Sequence, residues 1–377
     1  MRHPVHPLVL RIAGAACAAV LATGCAGTAY DLKNPGPSWP ASPSVIAHRG
    51  ASALRPEHTL AAYRKAIEDG ADSVEPDLVA TRDGVLVARH ENEISGTTNV
   101  ADLAQFAGRK ASKTIDGVTI SGWFTEDFSL AELRQLRARE RIPANRPANT
   151  RYDGQYMVPT LQEIIDLVER ESRARNKTIG LVPELKHPSY FRSIGLPLER
   201  RLVEVLAANG YRGRDAAVFI QSFEVGNLKE LRALAGYRLV QLVGAPPEAP
   251  YDAVAAGTGL TYADMITPHG LRAIARYADV VAPYKTIVIP RDAAGELGKP
   301  TRFVQDAHAA GLAVHVWTMR PENPFLPVAL RAVPIDSPSR RGDAVGEIRA
   351  YLDAGVDALF MDDPATGRDA INSVRKH

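Results

Sequence analysis

Apolar residues recur along this chain in two rhythms, and the alternation between them predicts the architecture. Short β-branched runs lie at 45–47, 73–79, 178–184, 217–221, 238–243, 279–282, 313–318 and 357–362, each of strand length. Between them apolar positions fall three and four apart, as on one face of a helix. The clearest case is Thr160 with Glu163 three residues on, a capping box ahead of Leu161, Ile164, Ile165 and Val168. Eight runs alternating with helices predict an α/β chain folded as a (β/α)₈ TIM barrel, with a doubly wound open sheet as the second choice. The barrel is favoured because polar residues recur at the carboxyl ends of the runs, at His48, Asp77, Glu184, Gln221, Trp317 and Asp362, where barrel enzymes build their sites.

The front of the chain stands outside this rhythm. Arg2 and Arg11 precede an apolar stretch from Ile12 that falls short of the roughly 20 residues a bilayer span needs. Leu21-Ala22-Thr23-Gly24-Cys25 then resembles a lipoprotein box. The expectation is a signal at 1–24, membrane contact through a lipidated Cys25, and export to the periplasm or cell surface; ordinary secretion is the alternative. Residues 25–43, rich in Gly, Pro, Ser and Ala, read as a flexible tether, with Trp39 as a packing residue. That leaves 44–377 as one domain. Cys17 lies inside the signal, so no intrachain disulfide is expected. Of 377 residues, 45 are Lys or Arg and 43 are Asp or Glu, a net charge of +2, which gives no sign of a nucleic-acid partner.

Candidate chemistry is dense near the start of the domain. His48-Arg49-Gly50 ends the first run, where glycine lets the backbone turn closely and the guanidinium fork suits phosphate oxygens. Glu57 can hold Arg49, and Thr59 caps a helix with Leu60, Tyr63 and Ile67 inside. Glu75 and Asp77, two apart on a strand, point the same way, with Pro76 between them demanding irregular pairing. The Asp83-Gly84 pair predicts a two-residue hairpin in which Asp77 faces His90, carrying that histidine to the carboxylates. Glu184 and Lys186 repeat the two-residue spacing on a later run. Three carboxylates without a thiol argue for a hard cation, and Lys186 supplies a point charge for phosphate.

These residues resemble the glycerophosphodiester phosphodiesterases, in particular the long periplasmic form. The resemblance rests on HRGAS at 48–52, PEHT at 56–59, VEPDL at 74–78, His90, PELK at 183–186, QSF at 221–223, WT at 317–318 and DALFMDDP at 357–364. It implies a TIM barrel that hydrolyses glycerophosphodiesters to an alcohol and sn-glycerol 3-phosphate. Glu75, Asp77 and Glu184 would hold a divalent cation, Ca²⁺ first and Mg²⁺ second, and His48 and His90 would be the acid–base pair. Arg49 and Lys186 would bind phosphate with Glu57 in support, and Gln221, Phe223 and Trp317 would line the substrate pocket. The chain departs from the family at Glu91, usually aspartate, and at His58, often asparagine.

Residues 91–157 read as an insertion after the hairpin that covers the site, with a capped helix at 129–139 opened by Ser129 and Glu132. Trp123, Phe124, Tyr152 and Tyr156 either face substrate or form the insertion's own core. A Pro- and Arg-rich excursion at 320–341 reads as a second rim. Two other functions fit the residues less well: a barrel phospholipase acting on membrane lipid, and a noncatalytic surface lipoprotein that binds phosphorylated ligands.

Overall fold

The computed structural model describes residues 31–374 together with Met1, His3 and Pro4. The lipoprotein box and Cys25 lie outside the described residues, as does most of the expected signal. Eight staves form a closed parallel barrel. In chain order they are Ser44–His48; Ser73–Glu75 continued by Asp77–Ala80; Gly180–Leu181 continued by Glu184–Leu185; Phe219–Ser222; Arg238–Val243; Val280–Pro283; Ala313–Met319; and Ala358–Met361. Each pairs with the next, and the eighth pairs with the first. The second and third staves break at Pro76 and Pro183, where a residue without an N–H interrupts the ladder. These staves coincide with the eight runs of the sequence.

Side chains alternate across a strand, and the inward set climbs from apolar at the base to polar at the mouth. Ile46, Val182, Phe219, Val240, Leu242, Val280, Ala282, Ala358 and Phe360 fill the barrel interior as one cluster. Two residues beyond Ile46 comes His48; beyond Val182, Glu184 and Lys186; beyond Phe219, Gln221 and Phe223; beyond Phe360, Asp362. Odd-numbered neighbours such as Val45 and Ala47 face the helices. The helix Leu161–Arg175 begins with the expected Thr160–Glu163 capping box and buries Leu161, Ile164, Ile165 and Val168. In the helix Leu60–Glu68, Ala62, Tyr63, Ala66 and Ile67 take the inner face, and Leu60 is only partly buried at its edge.

The segment 31–43 is not a free tether. The Ala217 N–H donates to the Lys33 carbonyl (2.8 Å), and Lys33 Nζ donates to the Asn209 carbonyl (2.7 Å). Trp39 then packs on the base of the barrel, its ring 6.1 Å from that of Phe219. Arg238 lies against both rings, 5.4 and 4.3 Å from their centroids, and donates to the Trp39 carbonyl. Gly180 is required beneath it, since a Cβ there would sit 2.0 Å from the indole. Small polar residues at 31–43 are therefore ordered by what they touch, despite a linker-like composition. Trp39→Ala is expected to cost about 2–3 kcal/mol, below the range for a wholly buried aromatic; chemical denaturation of the two proteins would measure it.

The hairpin differs from its expected register by one residue. Leu78, Val79 and Ala80 pair with Ala88, Val87 and Leu86, so Asp77 faces Arg89, whose N–H donates to the Asp77 carbonyl (3.0 Å). Three residues form the loop, not two: Gly84 adopts φ +77, and the Thr81 hydroxyl accepts from the Val85 N–H (2.9 Å). The extra residue is a left-handed glycine of the kind that closes three-residue hairpins. Arg89 becomes a fully buried structural residue bonded to the His58 and Thr97 carbonyls, and His90 follows the strand end.

Within the insertion, Ser129 and Glu132 do form a capping box, but the helix is one turn, Leu130–Leu133. Beyond it the backbone finds other partners: the Arg137 N–H donates to the Asn99 side chain (2.7 Å), the Ala138 N–H to the Tyr156 carbonyl and the Arg139 N–H to the Thr97 carbonyl. Trp123 and Phe124 are core, the indole N–H donating to the Phe106 carbonyl (2.7 Å).

Candidate active site

The mouth at the carboxyl ends of the strands gathers the carboxylates first. Glu75, Asp77 and Glu184 are buried, and each offers an oxygen within 4.8 Å of the other two. Adjacent staves set this spacing: Asp77 is the ladder partner of Glu184, and Glu184 of Gln221. Gln221 Nε2 donates to Glu75 Oε1 (3.1 Å). Burial, then the charges of Asp77 and Glu184, drives the Glu75 carboxyl well above the usual range. Burial likewise pushes Glu184 up to about 8, Lys186 opposing and Asp77 reinforcing. Burial also resists ionisation of Asp77, but Lys186, a hydrogen bond from His58 and Arg49 together hold it well below its ordinary value. Without an ion, Glu75 and Glu184 thus keep their protons to neutral pH while Asp77 stays ionised. An all-oxygen donor set of this kind, beside a buried Gln221 Oε1 that has no hydrogen-bonding partner, fits a hard dication.

Arg49 stands over the trio. Its backbone is left-handed at φ +60, followed by Gly50 at φ +86, a turn that side chains disfavour. Gly50 is obligatory, because a Cβ would lie 2.6 Å from the Ala62 carbonyl carbon. The turn is held by the Arg49 N–H, which donates to Glu75 Oε2 (2.8 Å), and its guanidinium lies 3.2 and 3.3 Å from the two Glu57 oxygens and 3.3 Å from Asp77 Oδ2. Glu57 also accepts from Arg141 of the insertion (2.8 Å). Lys186 Nζ pairs with Glu184 Oε1 (2.9 Å).

Both histidines reach the same cavity, which is lined by His48, Arg49, Glu75, His90, Glu184, Lys186 and Gln221 on its polar side. Its apolar side is Phe223, Leu242, Trp317 and Phe360, with the Phe223 and Trp317 rings edge to face at 5.7 Å. His48 Nδ1 lies 2.6 Å from Asp362 Oδ1, and His90 Nδ1 lies 2.8 Å from Glu91 Oε1. A carboxylate on Nδ1 fixes the tautomer and leaves Nε2 for the pocket. Burial, and then Arg49, lowers His48 to about 4 against the pull of Asp362; burial and the cations Arg49 and Lys186 also lower His90. With no substrate bound, both rings are therefore held toward the neutral form, the state that accepts a proton.

Every residue singled out in the sequence for the site is at this mouth, including His90 despite the shifted hairpin. Four others were missed. His58, buried and left-handed at φ +54, contacts Asp77 Oδ2 through Nε2 (2.8 Å) and the Tyr63 hydroxyl through Nδ1 (2.7 Å); its place beside Glu57 in a PEHT turn was the available signal. Asp362, noted only as a strand-end polar residue, is the partner of His48. It is clamped by Arg146 from the insertion and by Arg320 (3.0 Å) from the second excursion, arginines that no local pattern distinguishes. Arg146 also bonds Glu322 (2.7 Å), so the two excursions meet over the first and last strands.

The profile of the glycerophosphoryl diester phosphodiesterase family matches residues 48–366. A glycerophosphodiester phosphodiesterase of Arabidopsis thaliana is 32% identical over 333 residues, 85% of this chain and 83% of its own. One from Haemophilus influenzae is 25% identical over 366 residues, covering 91% and 96%. Among solved structures, one from Silicibacter pomeroyi superposes with a TM-score of 0.62 at 20% identity, covering 91% of this chain and 96% of its own. An Oleispira antarctica phosphodiesterase, solved with the product sn-glycerol-3-phosphate, gives 0.55 at 22% identity and coverage of 88% and 97%; these two likenesses concern the fold. With its profile match running from His48 to beyond the last strand, the chain belongs to the glycerophosphoryl diester phosphodiesterase family.

Proposed function

We propose that the protein hydrolyses glycerophosphodiesters to an alcohol and sn-glycerol 3-phosphate, with His48 and His90 as the acid–base pair. One observation carries this reading: two imidazoles, each with Nδ1 tied to a carboxylate, share a cavity with a carboxylate trio and two cations. Arg49 and Lys186 bind the phosphodiester oxygens, Arg49 held in place by Glu57. One histidine, neutral, removes a proton from the attacking oxygen at Nε2; the other, charged to the imidazolium once the phosphodiester anion lies beside it, gives its Nε2 proton to the leaving alkoxide. The attacking oxygen is either water or the substrate's own neighbouring hydroxyl. Glu75, Asp77 and Glu184 would hold a divalent cation, Ca²⁺ in first place, which supplies positive charge beside the phosphate when bound. The Phe223–Trp317 wall lies against the carbon skeleton of the glycerol. Export and attachment through a lipidated Cys25 belong to the proposal and are supported by the sequence of residues 1–25 alone.

The test is release of glycerol 3-phosphate from glycerophosphocholine, read by a coupled assay with chelator and then with calcium or magnesium restored. Release that stops with chelator and returns with cation is expected. Activity on phospholipid vesicles and none on the soluble diester would overturn the reading in favour of a phospholipase.

A further inference from the structure

We propose that Asp116, at the tip of the inserted hairpin, and His187, just beyond the third stave, are positioning residues that hold Glu91 and through it His90. The proposal rests on the role given to His90 above. The hairpin pairs Ala111–Ile115 with Val118–Gly122. Its turn is the two residues Asp116 and Gly117, at φ +49 and +80, the left-handed pair of a tight hairpin turn. That turn delivers Asp116 Oδ2 to His187 Nδ1 at 2.6 Å. His187 Nε2 lies 2.8 Å from Glu91 Oε2, and Glu91 Oε1 lies 2.8 Å from His90 Nδ1. A continuous line of carboxylate and imidazole therefore runs from the insertion to the pocket, where His90 Nε2 lies 3.4 Å from Lys186 Nζ.

Each link has a physical reason. Glu91 must reach two imidazoles at once, and the extra methylene relative to the aspartate usual in the family gives it that span. His187 is itself left-handed at φ +47, a conformation that side chains avoid without compensation, and its two carboxylate partners supply that compensation. Held between two anions, it is a cation: although burial opposes its charge, Asp116 and Glu91 raise its pKa to about 9. The other charges near it are Lys186, its chain neighbour, and Glu224, which lies close enough to Asp116 to feel its charge. Cationic His187 donates from both nitrogens, while neutral His187 donates from only one. Because the folded value is raised above the ordinary 6.5, the stability the clamp contributes is full below about 6.5 and is lost, with the second donated hydrogen bond, as pH rises through about 9. A seated hairpin thus aligns His90, and an unseated one leaves Glu91 with one partner fewer.

The experiment uses the full-length protein with calcium and glycerophosphocholine. Asp116→Asn keeps a residue that tolerates the left-handed turn and removes the charge; His187→Gln breaks the middle link. Each is expected to lower kcat about tenfold with KM changed less than twofold, as for partners that orient a functional group. Asp116→Asn should also move the alkaline limb of kcat to lower pH. Glu91→Gln added to His187→Gln should cost little more than either alone, the non-additivity of residues acting in series. Val118→Ser, exposed on the same hairpin, should leave kcat unchanged. An Asp116→Asn enzyme with wild-type kcat and an unmoved limb would overturn the clamp, as would additive losses at His187 and Glu91. A wild-type protein inactive on glycerophosphocholine would overturn the functional reading first, so the two failures are distinct.

Discussion

Replacing either His48 or His90 by alanine is expected to lower kcat for glycerophosphocholine by about 100- to 10,000-fold, the range that general acid–base groups contribute. KM should change far less, because Arg49 and Lys186, which hold the phosphodiester, remain. The two variants should not behave alike across pH, since the ring that acts as base and the ring that acts as acid govern opposite limbs of the profile. Asp362→Asn should give a smaller loss than His48→Ala: the ring stays, while the carboxylate that selects its tautomer at 2.6 Å is gone. Steady-state kinetics on the purified variants decides the matter. Either alanine variant within tenfold of wild type would remove that histidine from the chemistry.

Glu184→Gln is expected to lower activity at least 100-fold and to weaken calcium binding by a similar factor, because the trio would lose a charged donor. The wild-type site also predicts a pH signature. Glu184 titrates near 8 in the folded, ion-free protein and near its ordinary 4.5 when unfolded. Between those values the folded state keeps a proton that the unfolded chain has released, so stability of the ion-free protein falls as pH rises from about 4.5 to 8. A cation replaces that proton. The rise in Tm on adding calcium should therefore be larger at pH 8 than at pH 6. Calcium binding at pH 7 should release protons, seen as a calorimetric heat that varies with the ionisation enthalpy of the buffer. Proton-neutral binding would place the ion away from these carboxylates.

What the sequence made legible was whatever depends on period two. The strand spacing that puts His48 two residues above Ile46, or Lys186 two above Glu184, is local, so one alternation rule reads both barrel and mouth. The break at Pro76 was legible too, because a residue without an N–H cannot continue the ladder; the same break at Pro183 was not read from the sequence. The hairpin register was not, because a two-residue turn needs the left-handed conformation at both Asp83 and Gly84 while the three-residue loop needs it at Gly84 alone, and Asp83-Gly84 suits both. Nor were His58 and Asp362 given their contacts, since one depends on a left-handed loop and the other on closure of the last strand against the first. Residues 31–43 misled through composition: an otherwise polar, Pro-rich segment is pinned by Trp39 fitting over Gly180, a cavity made by residues far away in the chain.

The bond between His48 and Asp362 spans 314 positions, joining the first stave to the residue just beyond the last. A polypeptide still emerging from the ribosome, or one clipped before residue 362, would have every ion ligand and both imidazoles yet lack the anchor that orients one of them. Turnover would then report that synthesis has reached the far end and that the ring of strands has shut. Such an enzyme stays quiet while its chain is incomplete and becomes competent only once the barrel has closed.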